Sequence, residues 1–228
     1  MGQGISTAMA QTFAEELCAD WEKVKIDFPD ADMGKYQNER NGGHDTGGSC
    51  TIIYQWDMLR KAGAAAKQML IDAAAKQWNT SSSECFAENH FVVNRRSLEK
   101  LGFGTLAEAG AQQQLPESVS LKDPSKFQVI GKPKTAKLIP AIVTGKLQYG
   151  LDVRMPGMLY AVIARCPVFK GKLKNFDASE SLKVKGVKKV FSTQPIAGLQ
   201  THAPYMPYDI REGVVVVAES FWAAKRGQ

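Results

Sequence analysis

The run from Thr51 to Trp78 contains no proline and a single glycine, Gly63. Its alanines at 62, 64, 65, 66, 73, 74 and 75 are the strongest helix formers, so the run predicts one long helix. Small side chains on such a helix also let a neighbouring backbone approach closely. Ahead of it, Met9, Phe13 and Leu17 recur at i, i+4 and i+8, the spacing of an amphipathic helix over 5–19. Gln11, Glu15, Glu16 and Asp20 fall largely elsewhere, and the Glu15-Glu16 pair reads as a solvated face. Val24 to Phe28 then alternates apolar and polar before Pro29, which predicts a half-buried strand.

Residues 29–50 are polar and glycine-rich. Beyond the long helix, Cys85 to Val93 predicts a hairpin, and Gly104 to Ala109 a short helix with Thr105 as its cap. From Leu115 to Lys137 the prolines at 116, 124 and 133 interrupt any apolar period, the text of a linker. Strands are predicted over 158–164, 172–177, 187–191 and 214–218, with short helices near 178–184 and 221–226. The fold class is therefore α+β, with a composition shift near residue 120.

Charge sharpens that shift. The chain of 228 residues and net charge +6 holds 11 Lys/Arg against 16 Asp/Glu up to residue 120, and 18 against 7 after it. Such asymmetry favours two units with different surfaces. The basic half has scattered lysines such as Lys183, Lys185, Lys188 and Lys189 on a strand edge, a common device against edge pairing, without the interleaved aromatics of a nucleic-acid platform. No apolar run approaches the roughly 20 residues of a membrane span, and no secretory signal is visible. Cys18, Cys50, Cys85 and Cys166 form no C-x-x-C pair, and no histidine stands at a ligand spacing, which disfavours a zinc site.

Two segments could carry chemistry. Met1-Gly2-Gln3-Gly4 leads directly into the first helix, where free N–H groups and the helix dipole suit an anion or electron-rich ligand. A helix N-cap behind a permissive turn accounts for it as well. Thr46-Gly47-Gly48-Ser49-Cys50-Thr51 precedes the long helix. Its glycines permit close backbone approach, and the hydroxyls of Thr46, Ser49 and Thr51 can donate to phosphate oxygens. It has neither a Walker lysine nor a Gly-x-Gly-x-x-Gly spacing, and a plain Ser/Thr-capped helix stands equally open. His44, His90 and His202 have no recognisable nucleophile partner.

Taken together, these segments carry a resemblance. MGQGISTAMAQTFAEEL, TGGSCTIIYQWDMLRKAGAAAKQML, TGKLQYGLDVRMPGMLYAVIARCPVFKGKLKNFDASESLKVKGVKKVF and GVVVVAESFWAAKRG resemble, in register, the molybdopterin-binding large subunit of the xanthine dehydrogenase family. Within it they are similar to the isoquinoline 1-oxidoreductase beta-subunit and membrane-bound aldehyde dehydrogenase branch. The resemblance implies a partial molybdopterin-binding α/β domain over 1–118, a linker over 119–137 and an α/β hammerhead domain, incomplete at its C-terminus, over 138–228.

By that resemblance Gly2, Gln3 and Gly4 approach the molybdopterin end of a molybdenum-bearing molybdopterin cytosine dinucleotide, while Thr46, Gly47, Gly48, Ser49 and Thr51 hold its phosphates. The parent enzyme would oxidise an N-heterocycle or aldehyde with water as the oxygen source. Its implied partners are an iron–sulfur small subunit and a cytochrome c subunit, in the periplasm. The family's Gly-Gly-Gly-Phe-Gly segment and C-terminal general-base glutamate have no counterpart here, so the resemblance assigns no catalytic or metal residue. The chain is expected to be a piece of that subunit, inactive alone; the alternative is a non-catalytic binding or interaction module derived from the same fold.

Overall fold

A computed structural model of the chain describes residues 4–29, 32–36, 46–168, 171–199 and 208–228. Helix α1 (Ile5–Leu17) lies against the long helix α3 (Cys50–Gln77), with the short α2 (Met33–Tyr36) between them in sequence. The crossing is set by Gly63: a Cβ there would stand 2.6 Å from the Phe13 carbonyl oxygen and 3.0 Å from Glu16 Cβ. Only a hydrogen at this position lets the two backbones meet, as the small-residue run predicts. Further along α3, Ile71 and Ala73 to Ala75 pack with Cys85, Val92, Phe103 and Leu106 into a buried apolar cluster.

That cluster is closed by three antiparallel strands, β1 (Cys85–Glu88), β2 (Phe91–Asn94) and β3 (Lys100–Gly102), and by α4 (Phe103–Ala111). The predicted hairpin is present, with β3 as an additional strand. Helix α4 begins behind Gly102 rather than at a Thr105 cap, and Gly102 supplies no side-chain cap.

Two expectations are corrected here. Val24 to Phe28 alternates in exposure up to Asp27 but joins no ladder among the described residues, and Phe28 is 61% exposed. The pattern is that of a strand, but no strand among the described residues pairs with it. The acidic pair is buried instead of solvated: Glu15 is 1% and Glu16 0% exposed. Burial is tolerated because every carboxylate oxygen is satisfied. Glu15 Oε2 accepts from the backbone N–H groups of Gln128, Val129 and Ile130 at 2.8, 2.6 and 3.1 Å, and Oε1 accepts from Lys122 Nζ at 2.6 Å. Glu16 Oε1 accepts from Arg60 Nε at 2.7 Å and Oε2 from the Lys122 N–H at 2.9 Å.

These bonds hold the stretch expected as a linker, 119–137, against α1. Val129 completes a second buried cluster with Ala14 and Trp21. A short helix, α5 (Ile139–Val143), follows. The chain divides into two units, Met1–Leu147 and Gln148–Gln228, so residues 119–147 go with the first.

In the second unit, β4 (Tyr160–Arg165) and β5 (Val187–Ser192) flank β8 (Gly213–Ala218), all antiparallel. Valines 214 to 217 of β8, β-branched and suited to a covered strand, give this sheet its centre, with Val215 and Val216 buried. Strands β6 (Ile196–Leu199) and β7 (Tyr208–Ile210) form a separate antiparallel pair. Helix α6 (Ser179–Lys183) precedes β5, and α7 (Phe221–Arg226) follows β8 behind Ser220, whose hydroxyl accepts from the Ala223 N–H at 3.1 Å. The strand predicted over 172–177 is absent: the Leu173 N–H donates to the Glu212 carboxylate at 2.6 Å instead of to a ladder. Lys188 lies on the outer strand β5 and pairs with Glu219 at 2.6 Å. The observed content of helices and small antiparallel sheets is mixed α+β.

Candidate functional site

The starts of α1 and α3 line one cavity. It has a volume of about 740 Å³, and its wall includes Ile5, Ser6 and Met9 of α1 with Thr46, Thr51 and Gln55 of the α3 entry. The groove continues along α1 past Phe13 and Leu17 to His90, with Val24 to Pro29 as another wall. Segments 40 residues apart in sequence are thereby brought together, because α1 and α3 cross at Gly63.

Both helix entries are unusual in the same way. Gly4, the N-cap of α1, has φ 72°, and Ser49, the N-cap of α3, has φ 57°. An N-cap residue ordinarily sits in the extended region; here both are left-handed, and neither makes a side-chain cap. Gly48, also at φ 57°, makes the second turn possible, while Ser49 holds a conformation that costs a non-glycine residue of order 1 kcal/mol. The Cys50 N–H donates to the Gly47 carbonyl at 3.1 Å, which tightens the turn. The first turns of both helices therefore present N–H groups without a side chain over them, at the positive ends of their dipoles.

Of the residues singled out from sequence, Thr46 and Thr51 are half-buried and line the cavity. Gly4, Gly47, Gly48 and Ser49 are exposed beside it and do not form its wall. Gly2 and Gln3 lie outside the described residues, as do His44 and His202. Gln55 carries no signal in the sequence, and His90 reads there only as a histidine without a recognisable nucleophile partner. Both line the cavity, and Gln55 Oε1 and His90 Nδ1 are buried with no hydrogen-bond partner among the described residues.

The His90 ring leans on Phe103, with centroids 4.9 Å apart. Burial, and then the nearby Lys23 ammonium, push its pKa below the usual 6.5 against a smaller opposite pull from Asp20, which favours the neutral ring at pH 7. The four cysteines are free thiols, Cys85 buried and Cys166 exposed. No group of three or more His, Cys, Asp or Glu residues is gathered for a metal among the described residues, and no helix among them is long and apolar enough to cross a membrane.

The donor set is hydroxyls, an amide, helix-terminal N–H groups and apolar walls. It suits an elongated ligand with polar and anionic parts. Comparison with known proteins agrees with that chemistry. Residues 1–143 match the family model described as the molybdopterin cofactor-binding domain. The beta chain of isoquinoline 1-oxidoreductase from Brevundimonas diminuta is 31% identical over 229 residues, which cover 84% of this chain and 29% of that protein. The membrane-bound aldehyde dehydrogenase [pyrroloquinoline-quinone] of Gluconacetobacter polyoxogenes is 32% identical over 234 residues, 99% of this chain and 28% of that protein. A nicotinate dehydrogenase subunit from Pseudomonas putida is 28% identical over 168 residues, 73% of this chain and 14% of that protein. The chain thus spans under a third of the length of these relatives.

Proposed function

The chain belongs to the molybdopterin cofactor-binding domain family, and from that premise we propose that it forms part of the cofactor site of a molybdenum oxidoreductase subunit. The observation that carries this reading is the convergence of the α1 and α3 entries on one cavity. Gly2, Gln3 and Gly4 would lie against the molybdopterin end, with Gln3 offering a donor and an acceptor. Thr46, Gly47, Gly48, Ser49 and Thr51 would hold the phosphates of a cytosine dinucleotide through hydroxyls and the N-terminal N–H groups of α3. The orphaned Gln55 Oε1 fits a site that lacks a hydrogen-bond donor from its ligand.

When bound, the molybdenum cofactor supplies the oxidation of a substrate carbon with oxygen drawn from water. The residues of this chain bind and orient it, and their apolar walls, Met9 and Phe13 among them, keep water from part of its surface. The parent enzyme would act on an N-heterocycle or an aldehyde, a reading supported by the names of the relatives. Its electrons would pass to an iron–sulfur small subunit and a cytochrome c subunit, in the periplasm. The second unit, Gln148–Gln228, is read as an α/β hammerhead domain, beginning ten residues later than the 138 expected from the sequence. The chain alone would be inactive.

Titration with molybdopterin cytosine dinucleotide tests this. Saturable binding that weakens in Gln3→Ala and in Ser49→Ala is the expected result. Binding with no dependence on either residue, or none at all, would leave the family fold as a non-catalytic interaction module.

A further inference from the structure

The strap 122–137 runs along α1 from its C-terminal to its N-terminal half. Lys122 is bound at Glu15 and Glu16, Val129 at Glu15 and Gln11, and Lys137 at Thr7. At the far end the Lys137 N–H donates to Thr7 Oγ1 at 3.3 Å, and its ammonium donates to the Trp21 carbonyl at 2.6 Å. Thr7 is 7% exposed and sits in the first turn of α1. The next residue, Ala8, donates its N–H to Gly4 at 3.2 Å, so the turn that enters the cavity is tied through one residue to the strap.

Glu15 organises the other end. One carboxylate oxygen collecting three consecutive N–H groups fixes the backbone of 128–130 as a concave nest. A charged acceptor makes these bonds stronger than neutral ones. The Arg60 guanidinium holds Glu16 and donates to the Lys122 carbonyl at 2.6 Å. It also lies 5.4 Å from the Trp56 ring centroid and 5.3 Å from that of Phe127. The strap is thus fastened at Glu15 and Glu16, passes Gln11 at Val129, and meets α1 again where Lys137 bonds Thr7.

We infer that Glu15 and Thr7 are positioning residues: the strap they hold sets the first turn of α1, and with it the Gly4 entry to the cavity. Neither residue touches the proposed phosphate loop. The inference rests on the cofactor reading only for its binding arm, and a second arm needs no ligand.

The variants are Glu15→Gln, Thr7→Val, their double combination and Thr7→Ser, made in this chain. Without ligand, Glu15→Gln is expected to speed amide exchange at 128–130 and also at Ala8, while Thr7→Val speeds it at Ala8 alone. With molybdopterin cytosine dinucleotide as the probe, each single variant is expected to bind about fivefold more weakly, from the loss of about one hydrogen bond. The double variant should be no weaker than the worse single one, and Thr7→Ser, which keeps the hydroxyl, should bind as wild type. Unchanged exchange at Ala8 in Glu15→Gln would overturn the inference whether or not the probe binds. So would additive binding losses, or an intact affinity in Thr7→Val. Failure of the wild-type chain to bind the probe would overturn the cofactor reading, leaving the exchange arm to decide the strap.

Discussion

Glu16 and Arg60 meet at 2.7 Å across the crossing of α1 and α3, the carboxylate side chain fully buried and the guanidinium side chain only 10% exposed. Neither could be buried alone, since an uncompensated charge in the interior costs several kcal/mol. The pair is therefore a condition for the crossing as well as a contact within it. Arg60→Met should destabilise the first unit by about 3 kcal/mol, read as a lower urea midpoint. Adding Glu16→Leu should recover part of that loss, the remainder reflecting the Lys122 N–H and carbonyl left unpaired.

Glu15 makes stability depend on pH. Burial by itself raises its pKa, but the Lys122 ammonium and the N–H groups of Val129 and Ile130 outweigh burial, and the carboxyl lies below its usual 4.5. A group depressed on folding stabilises the protein fully above its unfolded pKa, and the contribution is lost as pH falls through the folded value. The resistance of the wild type to urea should thus fall progressively below pH 4.5. Glu15→Gln should be less stable at pH 7 and should flatten that part of the profile.

At Gly63 the close approach of Phe13 leaves no room for a methyl group. Helix propensity alone would favour Gly63→Ala by up to about 1 kcal/mol, yet a Cβ at 2.6 Å from a carbonyl oxygen must push α1 and α3 apart. Overpacking of this kind costs about 1–3 kcal/mol, so a lowered melting temperature is expected. An equal or raised melting temperature would show that the helices can separate at no cost.

His90 should titrate below its ordinary 6.5, because burial and Lys23 both disfavour the imidazolium. An NMR titration should find the midpoint there. Lys23→Gln should move it up, though not fully to 6.5, since burial is the larger cause. Asp20→Asn should move it further down.

Helix α3 was legible because the feature that makes it is local: alanines in sequence give Cys50–Gln77 with little help from elsewhere. The α1 period and the β1–β2 hairpin are local too. The fate of Glu15 and Glu16 was not legible, since nothing in the sequence near residue 15 announces partners at 122 and 128–130. The same distance hid the packing of 119–137, whose prolines describe a chain without regular structure and say nothing about whether it is free. Val24 to Phe28 and 172–177 failed differently: alternation marks a surface with two faces, while a strand also needs a neighbour. For the site, the glycine turns were visible as sequence. That Thr46 and Thr51 share a cavity with Ser6, Gln55 and His90 depended on how two helices cross.

The strand order β4–β8–β5 has a temporal consequence. A ribosome releases β4 and β5 well before β8, yet each pairs with β8 and not with the other in the finished sheet. Until residues 213–218 emerge, both strands wait without their native partner. In the first unit, by contrast, the described contacts of α1 with α3 and with the strap are all possible once residue 137 has been made. Nascent chains of this protein should therefore become protease-resistant in two stages, with the second delayed until Val214 to Val217 arrive to join strands that have been waiting since Tyr160.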